Sequence, residues 1–160
     1  MGIDNGKNLF NKILEAIPDA VIIVDQKGRI TGLNSRTLEF LGYAPNELLG
    51  QSMNILLPSS LKESHKKNRE SFYKNPSIRR MGGTKDLTIL HRDGVLMPVD
   101  ISLSPLESEG SWQVMVVIHD IRERKAIEAA LKENEEKYRL LVENASEIFY
   151  QVQVANEIED

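Results

Sequence analysis

The first apolar positions recur with helical spacing. Leu9, Phe10, Ile13, Leu14 and Ile17 fall on one side of a helical wheel, and Pro18 forbids a further turn. Residues 1–17 are therefore expected to hold a short amphipathic helix, which at that length needs something to lean on. The pattern then switches to the unbroken apolar run Ala20-Val-Ile-Ile-Val24, turn residues at 25–28 and a second stretch from Arg29 to Leu33. That order is a hairpin, and because the first run does not alternate, its strand is expected to be covered on both faces.

Between Asn34 and Pro58 short helical pieces alternate with turn residues. Ser35 is placed to cap a helix carrying Leu38, Phe40 and Leu41 and ended by Gly42, and Ala44 to Leu49 makes a further turn closed by Gly50. A longer helix, capped by Ser59 or Ser60, is expected to run to about Lys74, where Asn75-Pro76 stops it. On it Leu61, His65, Asn68 and Phe72 are spaced by four, three and four, so they share one face. His65 then points where the apolar residues point.

After Gly82-Gly83 the period becomes that of strands. Thr84 to His91 and Val95 to Leu103 flank Asp93-Gly94, the strongest short-range hairpin signal, and Pro105 to Gly110 reads as another turn. Trp112 to His119 is the last strand, apolar at Val114, Val116 and Ile118 on one face and at Met115 and Val117 on the other. Five hairpin-joined strands with helices grouped between them make an antiparallel sheet of the α+β class.

From Ile121 onward the chain is rich in Glu, Lys, Arg, Ala and Leu, with neither Gly nor Pro. Arg124, Leu131, Tyr138 and Ala145 are seven apart, and so are Ile127, Asn134, Leu141 and Ile148, offset by three: an a/d heptad frame. Arg124 and Asn134 interrupt the apolar seam, as polar core positions do where a coil fixes register and partner number. Ile127, Leu131, Asn134, Tyr138 and Leu141 are accordingly expected to form the contact of a parallel homodimer, with a helix packed on its own domain as the plainer alternative.

Composition narrows the function. The 160 residues include no cysteine, which excludes disulfide frameworks, thiolate metal sites and thiol catalysis. A net charge of −4 gives no electrostatic case for binding nucleic acid or an anionic membrane surface. No apolar run reaches the roughly 18–20 residues that cross a bilayer. Nor is there a nucleophile with its base, a phosphate-binding loop or a paired-carboxylate cleft motif, so no enzyme is expected. His91 and His119 stand on different strands without metal-ligand spacing, and the Lys66-Lys67 and Arg79-Arg80 pairs, which suggest an acidic ligand, read in this acidic chain rather as a solvated helix face and a loop.

Four stretches, in this order, resemble the PAS sensory domain of bacterial signalling proteins: Leu14 to Asn34, Phe40-Leu-Gly-Tyr-Ala-Pro-Asn-Glu-Leu-Leu-Gly-Gln51, His91-Arg-Asp-Gly-Val-Leu-Met-Pro-Val-Asp-Ile-Ser102 and His119-Asp-Ile-Arg-Glu-Arg-Lys125. The stretch from Asn134 to Ser146 resembles the start of a second such repeat. The resemblance divides the chain into a helix at 1–17, a PAS core at 18–120, a coiled-coil linker at 121–142 and the start of the next repeat at 143–160. It implies a five-stranded antiparallel sheet with flanking helices around a pocket. It also implies a cytoplasmic sensory and dimerisation module, passing a ligand or conformational signal to an effector in the same chain. Such effectors are typically histidine kinases, diguanylate cyclases or transcription factors, and the parent protein can be membrane-attached.

The site residues follow from combining the two readings. Leu61, His65, Asn68, Phe72 and Asn34 are candidates for the pocket, Asn34 being equally suited to capping a turn. Asp120, Ile121 and Arg124 are candidates for transmission, with Asp120 capping the following helix and Arg124 reaching back to it. Covalent flavin or chromophore attachment is excluded because those branches of the family need a cysteine. Noncovalent flavin stays open, and haem is the other cofactor alternative: the rhizobial oxygen-sensor kinases carry an iron-ligating histidine at a similar distance before the Asp-Gly hairpin, which makes His65 the only candidate metal ligand. Their strand arginine corresponds to Lys85, and the residues after His65 depart from their pattern. The other alternative is a passive repeat that relays torque without a ligand.

Overall fold

The computed structural model of the chain describes residues 3–82, 86–108 and 110–158. Thr84 and Lys85 lie outside the described residues. The chain divides between Ile121 and Arg122 into two compact units. In the first, α1 (Ile3–Ala16) precedes the hairpin of β1 (Ala20–Asp25) and β2 (Ile30–Leu33). Short helices α2 (Ser35–Leu41) and α3 (Pro45–Leu48) and the longer α4 (Lys62–Lys74) follow. The chain then returns to the sheet as β3 (Arg79–Met81), β4 (Leu87–Leu90), β5 (Leu96–Ser108) and β6 (Ser111–Asp120). The second unit is α5 (Arg122–Ile158).

The sheet is antiparallel, in the order β2-β1-β6-β5-β3, with β4 also paired to β5. It has six strands where five were expected. The added strand holds Arg79 and Arg80, read from their charge as a loop. It is a three-residue edge strand with all its residues exposed, paired Arg79 to Leu103 and Met81 to Ile101, and charge is what an edge tolerates. The hairpin turn expected from Pro105 is instead strand: β5 continues to Ser108, and Pro105 faces Val114 of β6. Pairing with β3 ends at Leu103, so beyond it β5 has no partner strand on that side among the described residues and the missing N–H of Pro105 costs no ladder bond. His91 lies just past β4, in the turn.

The two-sided burial expected of β1 is present. Ala20, Ile22 and Val24 join Val114, Val116, Ile118 and Val99 in the main core, under Leu41, Leu48 and Phe72. Val21 and Ile23 face the other way and pack with Leu14 of α1, beside Ile17, Met115 and Val117. At about 25 cal/mol per Å², each of these aliphatic side chains contributes on the order of 1.5–3 kcal/mol when buried.

Helix starts differ from expectation. Asn34, not Ser35, caps α2, its side chain accepting from the Thr37 N–H, and Gly42 ends the helix at φ 74°. Ser59 and Ser60 do not cap α4. They form a 3-10 turn with Leu61, and Leu61 stands at the cap position without a side-chain acceptor. A serine next to a proline is a capping signal in sequence, but Pro58 starts this turn early and carries the serines into its single coil.

Candidate functional site: a cavity between α4 and the inner face of the sheet

Phe72 anchors α4 to the sheet. It is buried in the main core, meets Tyr73 edge-on at 6.0 Å, and lies under the Arg79 guanidinium, 5.1 Å from the ring centre. The Tyr73 hydroxyl donates to the Asp25 carbonyl at 2.8 Å, which ties the end of α4 to the end of β1. One turn earlier Arg69 lies against Gly28, where the backbone has φ 80° and any Cβ would collide with the guanidinium. The positive φ is what favours glycine at 28, since the guanidinium is the end of a flexible side chain that can move aside.

These contacts leave a cavity of about 190 Å³. Its apolar wall is formed by Val24, Leu103, Val114 and Val116 from the sheet, with Met53 and Met81. His65, Asn68, Arg69 and Ser71 of α4 and Arg79 of β3 supply the polar wall. Of the five residues expected at a pocket, His65, Asn68 and Phe72 are brought together here. Leu61 is 42% exposed and Asn34 lies elsewhere; neither lines the cavity. Leu61 departs because its turn is 3-10, which breaks the helical spacing that placed it on the same face. Val114, Val116, Leu103, Arg69 and Arg79 were not singled out as lining. The strand residues had a period-2 signal that could have named them; Arg79 had only the charge of the Arg79-Arg80 pair, and Arg69 had none.

Asn34 is a structural knot. Its side chain is fully buried, its Oδ1 accepts from the N–H groups of Val21 (2.9 Å) and Thr37 (3.1 Å), and its Nδ2 donates to the carbonyls of Asp19 (2.9 Å) and Leu14 (3.1 Å). It joins the end of α1, the start of β1 and the start of α2. Glu15 adds to this junction by accepting from the Ser35 N–H and hydroxyl, and those bonds hold its carboxyl below the usual range.

His65 Nδ1 is buried and has no hydrogen-bond partner among the described residues. Burial, and secondarily the Arg69 guanidinium, push its imidazole below the usual histidine range. The unfolded chain then binds its proton first as pH falls below about 6.5, so this residue lowers stability on going from about 6.5 toward its folded value. The parent should lose more unfolding free energy between pH 7 and pH 5 than the His65→Gln variant, by denaturant titration at both values. Equal losses would show that His65 is as solvated folded as unfolded.

The end of β6 carries the expected transmission residues. Asp120 is its last residue and pairs across to Val99. Ile121 is buried and donates from its N–H to the Pro98 carbonyl at 3.3 Å. Arg124 pairs with Glu128, one turn onward, at 3.6 Å. His119 Nδ1 and Asp19 Oδ1 are 2.7 Å apart, and no group of three or more His, Asp or Glu among the described residues can hold a metal.

A family model described as the PAS fold matches residues 8–121. The chain belongs to the PAS family. The first unit described above is thus a PAS domain with its cavity on the inner face of the sheet. Sensor protein FixL of Bradyrhizobium diazoefficiens is 27% identical over 124 residues, and sporulation kinase A of Bacillus subtilis 24% over 140. These matches cover 78% and 85% of this chain but 25% and 22% of the relatives, so the chain spans about a quarter of their length. The PAS domain of an HTR-like protein from Haloarcula marismortui shares the fold at a TM-score of 0.62 and 23% identity, covering 74% of this chain and 94% of that one. The PAS domain of this chain is a sensor module related to histidine kinase sensors, and no catalytic domain is shown in it. No described helix is long and apolar enough to cross a membrane.

His65 lines the cavity, and no haem or other cofactor is shown for this chain.

Proposed function

We propose that this PAS domain binds a small molecule in the cavity and passes its presence along β6 into α5, which pairs with the α5 of a second copy. The observation that carries the reading is that Val114 and Val116 line the cavity on the same strand that leads, through Asp120 and the buried Ile121, into the helix. A ligand that alters the packing of those valines acts on the root of α5 with one covalent path and no hinge glycine between.

Pairing of α5 is supported by its surface. Ile127, Leu131, Tyr138 and Leu141 are large, apolar, at a or d positions and 56–64% exposed. A helix of 37 residues that carries surface ion pairs such as Arg139–Glu143 is poorly supported alone, and a partner seam supplies burial. Exposed Leu9, Phe10 and Ile13 give α1 a second apolar face of the same kind.

The effector is proposed to be a histidine kinase in the same chain, by analogy with the curated relatives. Residues 143–160 are proposed to begin a second PAS repeat. α5 runs unbroken across this boundary, yet Ile148, Phe149 and Tyr150 are consecutive and all exposed, a run that no single helix face can bury.

The absence of cysteine makes the test clean. Single cysteines introduced one at a time from 124 to 141 should cross-link with heptad periodicity on oxidation. Filling the cavity with Leu103→Phe should change the rates, and adding Asp120→Ala should abolish that change without altering the melting temperature. Periodic cross-linking indifferent to the cavity would leave a passive dimerising repeat, and loss of the fold in Asp120→Ala would make that residue structural.

A further inference from the structure

The polar wall of the cavity has an unbalanced charge. Arg69 and Arg79 line it, and no Asp or Glu among the described residues does. Neither guanidinium is paired with a described carboxylate. Arg79 donates instead to neutral acceptors, the Ser77 hydroxyl at 3.3 Å and the Asn75 carbonyl at 3.4 Å, while Phe72 supports it from below. Arg69 is half-buried against Gly28. On the same helix as Arg69 and one turn before it, His65 also lines the cavity, and its buried Nδ1 has no partner among the described residues. The opposite wall is aliphatic.

We infer that the cavity is built for a small organic acid whose carboxylate meets Arg69, Arg79 and His65 and whose short apolar body lies on Val24, Leu103, Val114 and Val116. This rests on the reading of the cavity as a ligand site. A carboxylate receives charge-assisted bonds from guanidinium groups, roughly twice as strong as neutral ones. A neutral ligand of the same shape leaves both cations unmatched, and a cationic one is repelled. The aliphatic wall argues against a bare inorganic anion, which would sit against carbon on its far side.

The test is calorimetric titration of the full 160-residue chain with benzoate and hexanoate, and with benzamide and hexanamide as neutral probes of matched size. At least one acid should bind about tenfold or more tightly than its amide, the ratio that a charge-assisted bond supports. Arg79→Gln, at an exposed edge position, should remove most of that ratio and leave the amide affinity unchanged; Arg69→Gln should do the same if it folds. Equal binding of acid and amide overturns the anionic inference while the cavity remains a ligand site. An acid preference that survives Arg79→Gln overturns the assignment of the wall, and inorganic phosphate competing as well as the acids overturns the apolar body. Binding of none of the four probes removes both the inference and the ligand reading beneath it.

Discussion

Asn34→Leu should lower the unfolding free energy of the PAS domain by about 3–5 kcal/mol, the largest effect expected of any single polar substitution in it. Leucine fits the volume but offers no polar atom. The N–H groups of Val21 and Thr37 and the carbonyls of Leu14 and Asp19 would then lose their partner together. Each unpaired buried group costs about 1–3 kcal/mol, and water entering at the end of α1 relieves part of the total. Losing the cap of α2 accounts for about 1 kcal/mol of it. A domain of this size shifts its midpoint by roughly 3–5 °C per kcal/mol, so the melting temperature should fall on the order of 10–20 °C. Asn34→Ser should lie between the two, because a hydroxyl can keep the Thr37 cap but cannot reach across to the end of α1. Thermal melts by circular dichroism decide this, and a leucine variant within about 1 kcal/mol of the parent would show that the junction holds without Asn34.

The second large effect concerns the proposed dimer. Leu131→Asp combined with Leu141→Asp puts a charge at one a and one d position of each chain, so a parallel pair would bury four carboxylates in place of four leucines. Losing a buried leucine costs about 2–5 kcal/mol before the desolvation of the new charge is added, and every 1.4 kcal/mol is tenfold in affinity. Association should therefore weaken by roughly a thousandfold or more. In sedimentation equilibrium the parent should be dimeric at micromolar concentration and the double variant monomeric, with the melt of the PAS domain unchanged. Lys132→Asp, one position off the seam, is the matched control and should leave the dimer intact. A parent that stays monomeric at these concentrations, or a double variant that still pairs, would remove the coiled coil from the mechanism.

Both predictions draw on positions whose meaning was unequally visible in the sequence. The heptad frame of α5 is a local periodicity and could be read directly, and so could the two-sided burial of β1, since an unbroken run of five apolar residues admits little else. Asn34 showed only that it follows a strand and precedes a helix, which is compatible with a cap, a turn or a ligand contact. Apart from the Thr37 cap, its partners lie 13 to 20 positions away, and no local pattern encodes them. The strand at Arg79–Met81 was masked in the same way. Its residues carry the charges of a loop, and they are extended because β5 offers them a free edge. The cavity was half legible: helical spacing put His65 and Phe72 on one face, while the register of β5 on β6 determined what stands opposite them.

By itself the sequence determined the α+β class, the order of most elements, the amphipathic ends and the exclusion of thiol chemistry, because each depends on residue type or short-range period. Only the tertiary structure decided that Asn34 is a knot and not a ligand contact, that Leu61 turns away from the cavity, and that two arginines without a carboxylate line it. Those outcomes depend on which backbone groups and charges lie within a few ångströms of one another across tens of residues of chain. Distances of that kind are set by the packing of α4 on the sheet and by the meeting of α1, β1 and α2.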